Sequence, residues 1–229
     1  MKTFIFIPVV NGFDLLQKAC ASISNVYEES FILNNSGTVI PSEIYENTNF
    51  QVITPERPLS FINTMNWAIK KAIDEDYDFF AFMHNDGEVT NGVGLALKEK
   101  TESIINNGND NVAIHFTRYD VYCTFITKLI KNVGFFGDEM WPNKHIGHHY
   151  LSDNDYYRRV ALMNYQLLND HKLGDNVIHH GSMSIRNDED FHKQSCINKE
   201  LAMEHYIKKW GGRPCEEKFT IPFTIPFTL

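Results

Sequence analysis

Short apolar runs separated by amphipathic stretches recur through the first half of this 229-residue chain, and that alternation restricts the fold more than any other feature. Residues 3–9 (TFIFIPV), 31–33, 50–53 and 78–83 are dense in aromatic and β-branched side chains and read as strands. Between them, residues 14–24 place Leu15, Leu16, Ala19, Cys20 and Ile23 at helical spacing. A second helix starts after Ser60, a natural N-cap, with Phe61, Met65, Ala68, Ile69, Ala72 and Ile73 on one face. Strands alternating with helices of this length predict βαβ units. The expected fold is therefore a single α/β domain whose mainly parallel sheet is flanked by helices through right-handed crossovers.

The second half is less regular. Residues 95–105 form a moderately amphipathic helix, residues 112–116 a strand and residues 176–179 another, while residues 122–130 (YCTFITKLI) fit strand and helix equally well. A helix over 197–209 is stopped by Trp210-Gly211-Gly212, and the tail then repeats Ile-Pro-Phe-Thr twice over 221–228. Proline at every fourth residue bars a central strand, so the tail is expected to lie extended on the surface or against a neighbouring subunit. The sequence leaves a homo-oligomer open.

Charge and composition narrow the partners. A net charge of −8 argues against a chain whose main business is wrapping nucleic acid, though a nucleotide needs only a few local groups. No apolar run reaches the roughly 18 residues of a transmembrane helix, and no signal-peptide pattern opens the sequence. The expectation is a soluble, cytoplasmic protein. Cys20, Cys123, Cys196 and Cys215 are scattered without framework spacing, as reduced thiols would be.

The strand at 78–83 ends abruptly in His84-Asn85-Asp86-Gly87. In open α/β sheets the ligand crevice lies outside the carboxyl ends of the strands, so Asp86 is placed to hold a metal ion or a metal-bound phosphate. The same residues are also good turn chemistry. Asn34-Asn35-Ser36-Gly37, after the second strand, either contacts a base or ribose or simply turns the chain. Trp141 either stacks on a sugar ring or packs as a core anchor. His145, His148 and His149 crowd together but lack the i, i+4 pair with an intervening Glu that a zinc helix needs, and read as a mobile loop. Ser152 followed by Asp155 suggests a capping box, with Asp153 in the first helical turn, where a carboxylate stays ionised and can accept a proton. The pair His179-His180 follows a short strand.

Taken in order, these motifs resemble the nucleotide-sugar glycosyltransferases of the GT-A fold, in particular the inverting family 2 and its compact viral and bacterial members. Ile5-Phe6-Ile7-Pro8 with Val10 and Asn11 resembles the opening strand and loop, and Phe31 to Ser36 the second strand with its Asp-Asn-Ser end. Asn66 resembles the Asn of the helix before the metal motif, and Phe80 to Asp86 sits where the family carries Asp-X-Asp. Val133 to Glu139 resembles the Gly-Phe-Asp-Glu loop, Ser152-Asp153 the Glu-Asp motif, Val177 to Ser182 the late His segment, and Lys209-Trp210-Gly211-Gly212 a tail motif. Three positions depart: His84 replaces the first Asp of Asp-X-Asp, Asn34 an Asp that touches the base, and Ser152 the Glu of Glu-Asp.

The resemblance implies a GT-A domain over 1–212, with a nucleotide-sugar half over 1–110, an acceptor and catalytic half over 111–212, and a tail over 213–229. It implies an inverting hexosyl- or deoxyhexosyl-transferase that uses a UDP-, GDP- or dTDP-sugar and a glycan, protein or lipid-linked acceptor. Donor contacts would fall to Pro8, Val10, Asn11, Asn34, Ser36, Asn66, His84, Asn85 and Asp86, and the acceptor to Trp141. Mn²⁺ or Mg²⁺ would sit on Asp86, with His84 or His180 as nitrogen ligands that favour Mn²⁺. Asp153 would be the base, with Asp155 second. Two rivals make different predictions: a metal-dependent hydrolase built on the His-rich loop, and a carbohydrate-binding module without catalysis.

Overall fold

The strand and helix pattern of the first half is realised almost residue for residue. In the computed structural model, described over residues 1–109, 111–138, 140–142, 150–181 and 189–223, the chain begins with β1 (Thr3–Val9), α1 (Phe13–Ile23), β2 (Glu29–Asn34) and a 3-10 turn (Ser42–Ile44). It continues through β3 (Phe50–Ile53), α2 (Phe61–Asp74), β4 (Phe79–Met83), β5 (Gly87–Val89), α3 (Val93–Asn106), β6 (Val112–Phe116) and β7 (Tyr122–Ile126). The remaining elements are α4 (Thr127–Val133), α5 (Ser152–Leu162), β8 (Gln166–Asn169), α6 (His171–Gly174), β9 (Val177–His179) and α7 (Glu189–Trp210).

Among the described residues the central sheet has seven strands in the order β3-β2-β1-β4-β7-β6-β8, parallel except for β7, which runs against both neighbours. β1 and β4 are buried almost throughout, which is why they read as continuous apolar runs rather than alternating ones. Phe4, Phe80 and Phe125 are register partners across β1, β4 and β7. Their rings stack, Phe4 on Phe80 at 5.4 Å and Phe80 on Phe125 at 4.9 Å. Each such pair adds about 0.5–1.5 kcal/mol beyond its buried area. A slip by one residue would turn these rings to the opposite face, so the ladder fixes the register and with it the level at which β4 ends.

Ser60 caps α2 by accepting the Asn63 N–H at 3.2 Å. The ambiguous segment 122–130 is both things in succession. Five residues pair with β4, and the backbone then turns into α4 as the Thr127 N–H bonds the Asp78 carbonyl. The expected capping box on α5 does not form. Leu151, at φ 66°, occupies the cap position, no side chain caps this end, and the Asp155 N–H bonds the Leu151 carbonyl at 2.9 Å. Ser152 is already helical, so its hydroxyl is not set as an N-cap. The tail, as far as Phe223, packs on its own chain: Lys218 and Phe219 donate to the Trp210 carbonyl and Phe223 to that of Lys209. The second Ile-Pro-Phe-Thr repeat and the loop holding His145, His148 and His149 lie outside the described residues. No helix among the described residues is long and apolar enough to cross a membrane.

Candidate active site

β1, β2, β4 and β6 all point their carboxyl ends to one edge of the sheet, and the two-stranded β5–β9 ribbon folds over that edge. The chain leaves β4 through a tight turn. The His84 N–H bonds the Val121 carbonyl and the Gly87 N–H returns to the His84 carbonyl. Glycine suits position 87, where a Cβ would crowd Val121 Cγ1 at 3.0 Å and the His84 oxygen at 3.1 Å. Asn85 donates to the Asn11 carbonyl at 2.8 Å, tying this turn to the loop after β1. The Asp86 carbonyl accepts the His180 N–H, and antiparallel pairing sets Gly87 opposite His179.

That pairing assembles His84, Asp86 and His179 into a group whose ligand atoms all lie within 4.8 Å of one another. His179 Nε2 stands 3.4 Å from Asp86 Oδ2, and His84 Nδ1 stands 3.8 Å from Asp86 Oδ1. Asp86 is 2% exposed. His84 Nε2, Asp86 Oδ2 and His179 Nε2 are buried without a hydrogen-bond partner within the protein, which leaves all three available to a cation. Burial raises the Asp86 pKa, but the two imidazoles outweigh it and hold the carboxyl below its usual range. Two nitrogens and a carboxylate oxygen fit Mn²⁺ better than Mg²⁺, which prefers oxygen alone. His180 takes a different direction. Its Nε2 stands 3.2 Å from Glu88 Oε2, outside the group, and its neighbour His179 stands there instead.

Across from this group, α5 presents Asp153 in its first turn. The Asp153 carboxylate is half-buried and accepts the Tyr119 phenol O–H at 3.1 Å. Burial and the neighbouring Asp120 carboxylate push its pKa up to about 6. Asp120 Oδ1 also lies 3.8 Å from His84 Nε2. Burial pulls the His84 imidazole down, yet Asp120, Asp86 and Asp153 together raise it above its ordinary value. Arg118, next in the same hairpin, donates to the Val177 carbonyl at 3.1 Å. Three consecutive residues thus touch the strand that carries His179, the Asp153 carboxylate and the His84 ring.

No family model matches the sequence, and no curated protein does. Solved structures do match in shape. TarS from S. aureus, residues 1–349 in complex with UDP-GlcNAc, aligns at TM-score 0.56 and 13% identity over 94% of this chain and 74% of that one. GalNAc-T7 with UDP, GalNAc and Mn²⁺ aligns at TM-score 0.53 and 10% identity over 73% of this chain and 41% of that one. The fold is GT-A-like. The chain spans only 34% of the longer TarS chain.

Within this frame the other sequence candidates separate into those at the edge and those committed elsewhere. Val10 is 40% exposed just past β1, and Asn11 keeps a buried Oδ1 without a partner. Pro8 lies within β1 opposite Leu33 and shapes the strand beneath them. Asn34 and Ser36 bond each other and the Thr38 carbonyl, holding their loop in a fixed turn. Both ends of the Asn66 amide are engaged by Phe136, as donor at 3.1 Å and acceptor at 2.6 Å, so it clamps the loop after α4. Asp155 is fully buried and receives Trp210 Nε1 at 2.9 Å, Lys209 Nζ at 2.7 Å and Arg159 Nε at 3.2 Å, which leaves it a structural counter-charge. Trp141 is 3% exposed against His205 and is a core anchor.

Sequence reasoning missed His179 as a member of this group, and Tyr119 and Asp120 altogether. For His179 a signal existed, because strand alternation puts it on the side of the buried Val177 and turns Ile178 outward. For Tyr119 and Asp120 no local signal exists. They reach the site only because β7 pairs with β4.

Proposed function

We propose that the protein is an inverting glycosyltransferase that uses a nucleoside-diphosphate sugar and a divalent cation. The observation that carries this reading is the juxtaposition of the orphaned His84–Asp86–His179 group with the Asp153 carboxylate at the carboxyl edge of a GT-A-like sheet. Asp86, His84 and His179 would hold the cation, preferably Mn²⁺, which when bound supplies positive charge to the leaving diphosphate. The loop at Val10 and Asn11, joined to Asn85, forms the donor side. Asp153 receives the acceptor hydroxyl's proton as the new bond to the anomeric carbon forms and the bond to the diphosphate oxygen breaks on the opposite face, which inverts the centre. UDP is the first donor nucleotide to test, since UDP or UDP-GlcNAc accompanies the similar structures.

The test is a thermal-shift series with UDP, GDP, dTDP and CMP, each with and without Mn²⁺. A ligand at about 100 times its Kd stabilises the fold by about 2.7 kcal/mol, a clear shift. One nucleoside diphosphate is expected to stabilise only with Mn²⁺, and Asp86→Ala is expected to abolish that dependence. A shift from Zn²⁺ or from free sugar alone, with none from any nucleotide, would replace this reading by the hydrolase or the binding module.

The raised pKa of Asp153 gives a pH profile. A base works deprotonated, so transfer is expected to rise with pH through about 6 and level off above it. The ascending limb should vanish in Asp153→Asn. A rate that is flat through that range in the parent enzyme would remove Asp153 from the role.

A further inference from the structure

With Trp141 buried, the aromatic ring that stands open to solvent beside Asp153 is Tyr119, 58% exposed at the tip of the β6–β7 hairpin. Its backbone lies at φ 48°, a region that a bulky L-residue seldom enters unless its surroundings impose it. Those surroundings are visible. The Thr117 N–H and Oγ1 both donate to the Tyr122 carbonyl, and the Val121 N–H closes on the Arg118 carbonyl. Arg118 is anchored to β9 and Asp120 faces His84, so both flanking residues are held while the Tyr119 ring projects between them. Positive φ recurs elsewhere in the chain, at Leu151 and Phe223 for example, so what singles out Tyr119 is an exposed aromatic ring hydrogen-bonded to the Asp153 carboxylate.

Resting on the assignment of Asp153 as the acceptor-side base, we infer that Tyr119 determines acceptor specificity. Its ring is the stacking platform for the apolar face of an acceptor pyranoside, and its phenol occupies on Asp153 the place that the acceptor hydroxyl takes. One face of a pyranose presents C–H groups that pack on an aromatic ring, while its equatorial hydroxyls project from the rim. A sugar lying on Tyr119 therefore brings a rim hydroxyl to the carboxylate that the phenol now satisfies at 3.1 Å. The exchange replaces one hydroxyl-to-carboxylate bond by another of the same kind, so the Asp153 carboxylate stays satisfied when the acceptor takes the place of the phenol. The acceptor class that follows is a glycan or glycoside, rather than the serine or threonine of a protein.

Saturation-transfer NMR on the full chain, in the presence of UDP and Mn²⁺, tests this with methyl pyranosides of glucose, galactose, N-acetylglucosamine and rhamnose as probes. At least one is expected to receive saturation mainly on the C–H protons of one ring face. Tyr119→Phe should keep that binding, and Tyr119→Ala should weaken it by about tenfold or more, with the UDP–Mn²⁺ thermal shift the same in all three proteins. In transfer assays the Ala variant should raise the acceptor KM far more than it lowers kcat, with Phe restoring KM. Absence of pyranoside contact in a protein that binds UDP–Mn²⁺, or parent-like binding by Tyr119→Ala, would overturn the platform and leave the transferase reading intact. Loss of the UDP–Mn²⁺ response alongside Tyr119-dependent sugar binding would do the reverse.

Discussion

Asp153→Asn is expected to cut transfer by about 10²-fold or more while leaving nucleotide binding unchanged, the scale set by removing a positioned base. Asparagine matches aspartate in shape and its oxygen can still accept the Tyr119 phenol, so the hairpin stays in place. The effect on stability is expected to run the other way from the effect on activity. Burial and Asp120 raise the Asp153 pKa to about 6, so in the folded protein its charged form is disfavoured and protonation stabilises the fold as pH falls through that value. Above it the wild-type carboxylate is a cost, and the neutral amide should make the variant at least as stable as the parent at pH 8. Turnover at the parent rate would eliminate Asp153 as the base. A large drop in melting temperature would show instead that its charge supports the fold. Asp155→Asn separates the two carboxylates, because Asp155 is buried under three donors and its loss should lower stability before it touches chemistry.

The two carboxylates also show what sequence can and cannot tell. Asp153 and Asp155 are two residues apart on one helix, about 200° around its axis, so one faces the cleft and the other the core. Composition around them does not say which, and only the positions of Lys209 and Trp210, more than fifty residues on, settle it. The central strands were legible because parallel strands buried on both faces leave continuous apolar runs, as in β1 and β4. β8 was not, since Gln166–Asn169 is a short edge strand with every residue exposed and no hydrophobic pattern to betray it. β5 was hidden by its length, since three residues that begin with a glycine are too few to show a pattern even though both of its ends are buried. Asp86 could be picked out because the carboxyl edge of a sheet is a general ligand position. The Tyr119 and Asp120 contacts come from strand pairing, which no local pattern encodes.

Lys209→Met is the substitution expected to damage the fold most. Lys209 is 3% exposed, and its ammonium reaches Asp138 Oδ2 and Asp155 Oδ1 at 2.7 Å each. It thereby ties α7 to the loop after α4 and to the helix that carries Asp153. Methionine fills much of the volume but leaves two carboxylates without their shared cation, and breaking a buried pair in this way costs roughly 3–5 kcal/mol. His205, 3.2 Å from Asp138, and Arg159, at Asp155, retain part of the compensation. Acid should expose the same network. Burial alone would raise the Asp138 pKa, but His205 and Lys209 hold it well below the carboxylate range, so its contribution is full above the ordinary aspartate pKa of about 3.9 and fades as pH falls below it. Without Lys209 the folded pKa of Asp138 lies nearer its ordinary value, so this contribution should be smaller and its loss complete at a higher pH. Urea unfolding of parent and variant at about pH 7 and about pH 2.5, above and below the ordinary aspartate pKa, measures both effects. A variant within about 1 kcal/mol of the parent at both pH values would mean that the ammonium contributes no more than an exposed ion pair does. The predicted loss, with nucleotide binding retained in the folded fraction, would identify the Lys209-Trp210-Gly211-Gly212 segment as the clasp that sets α5, and hence Asp153, against the sheet edge.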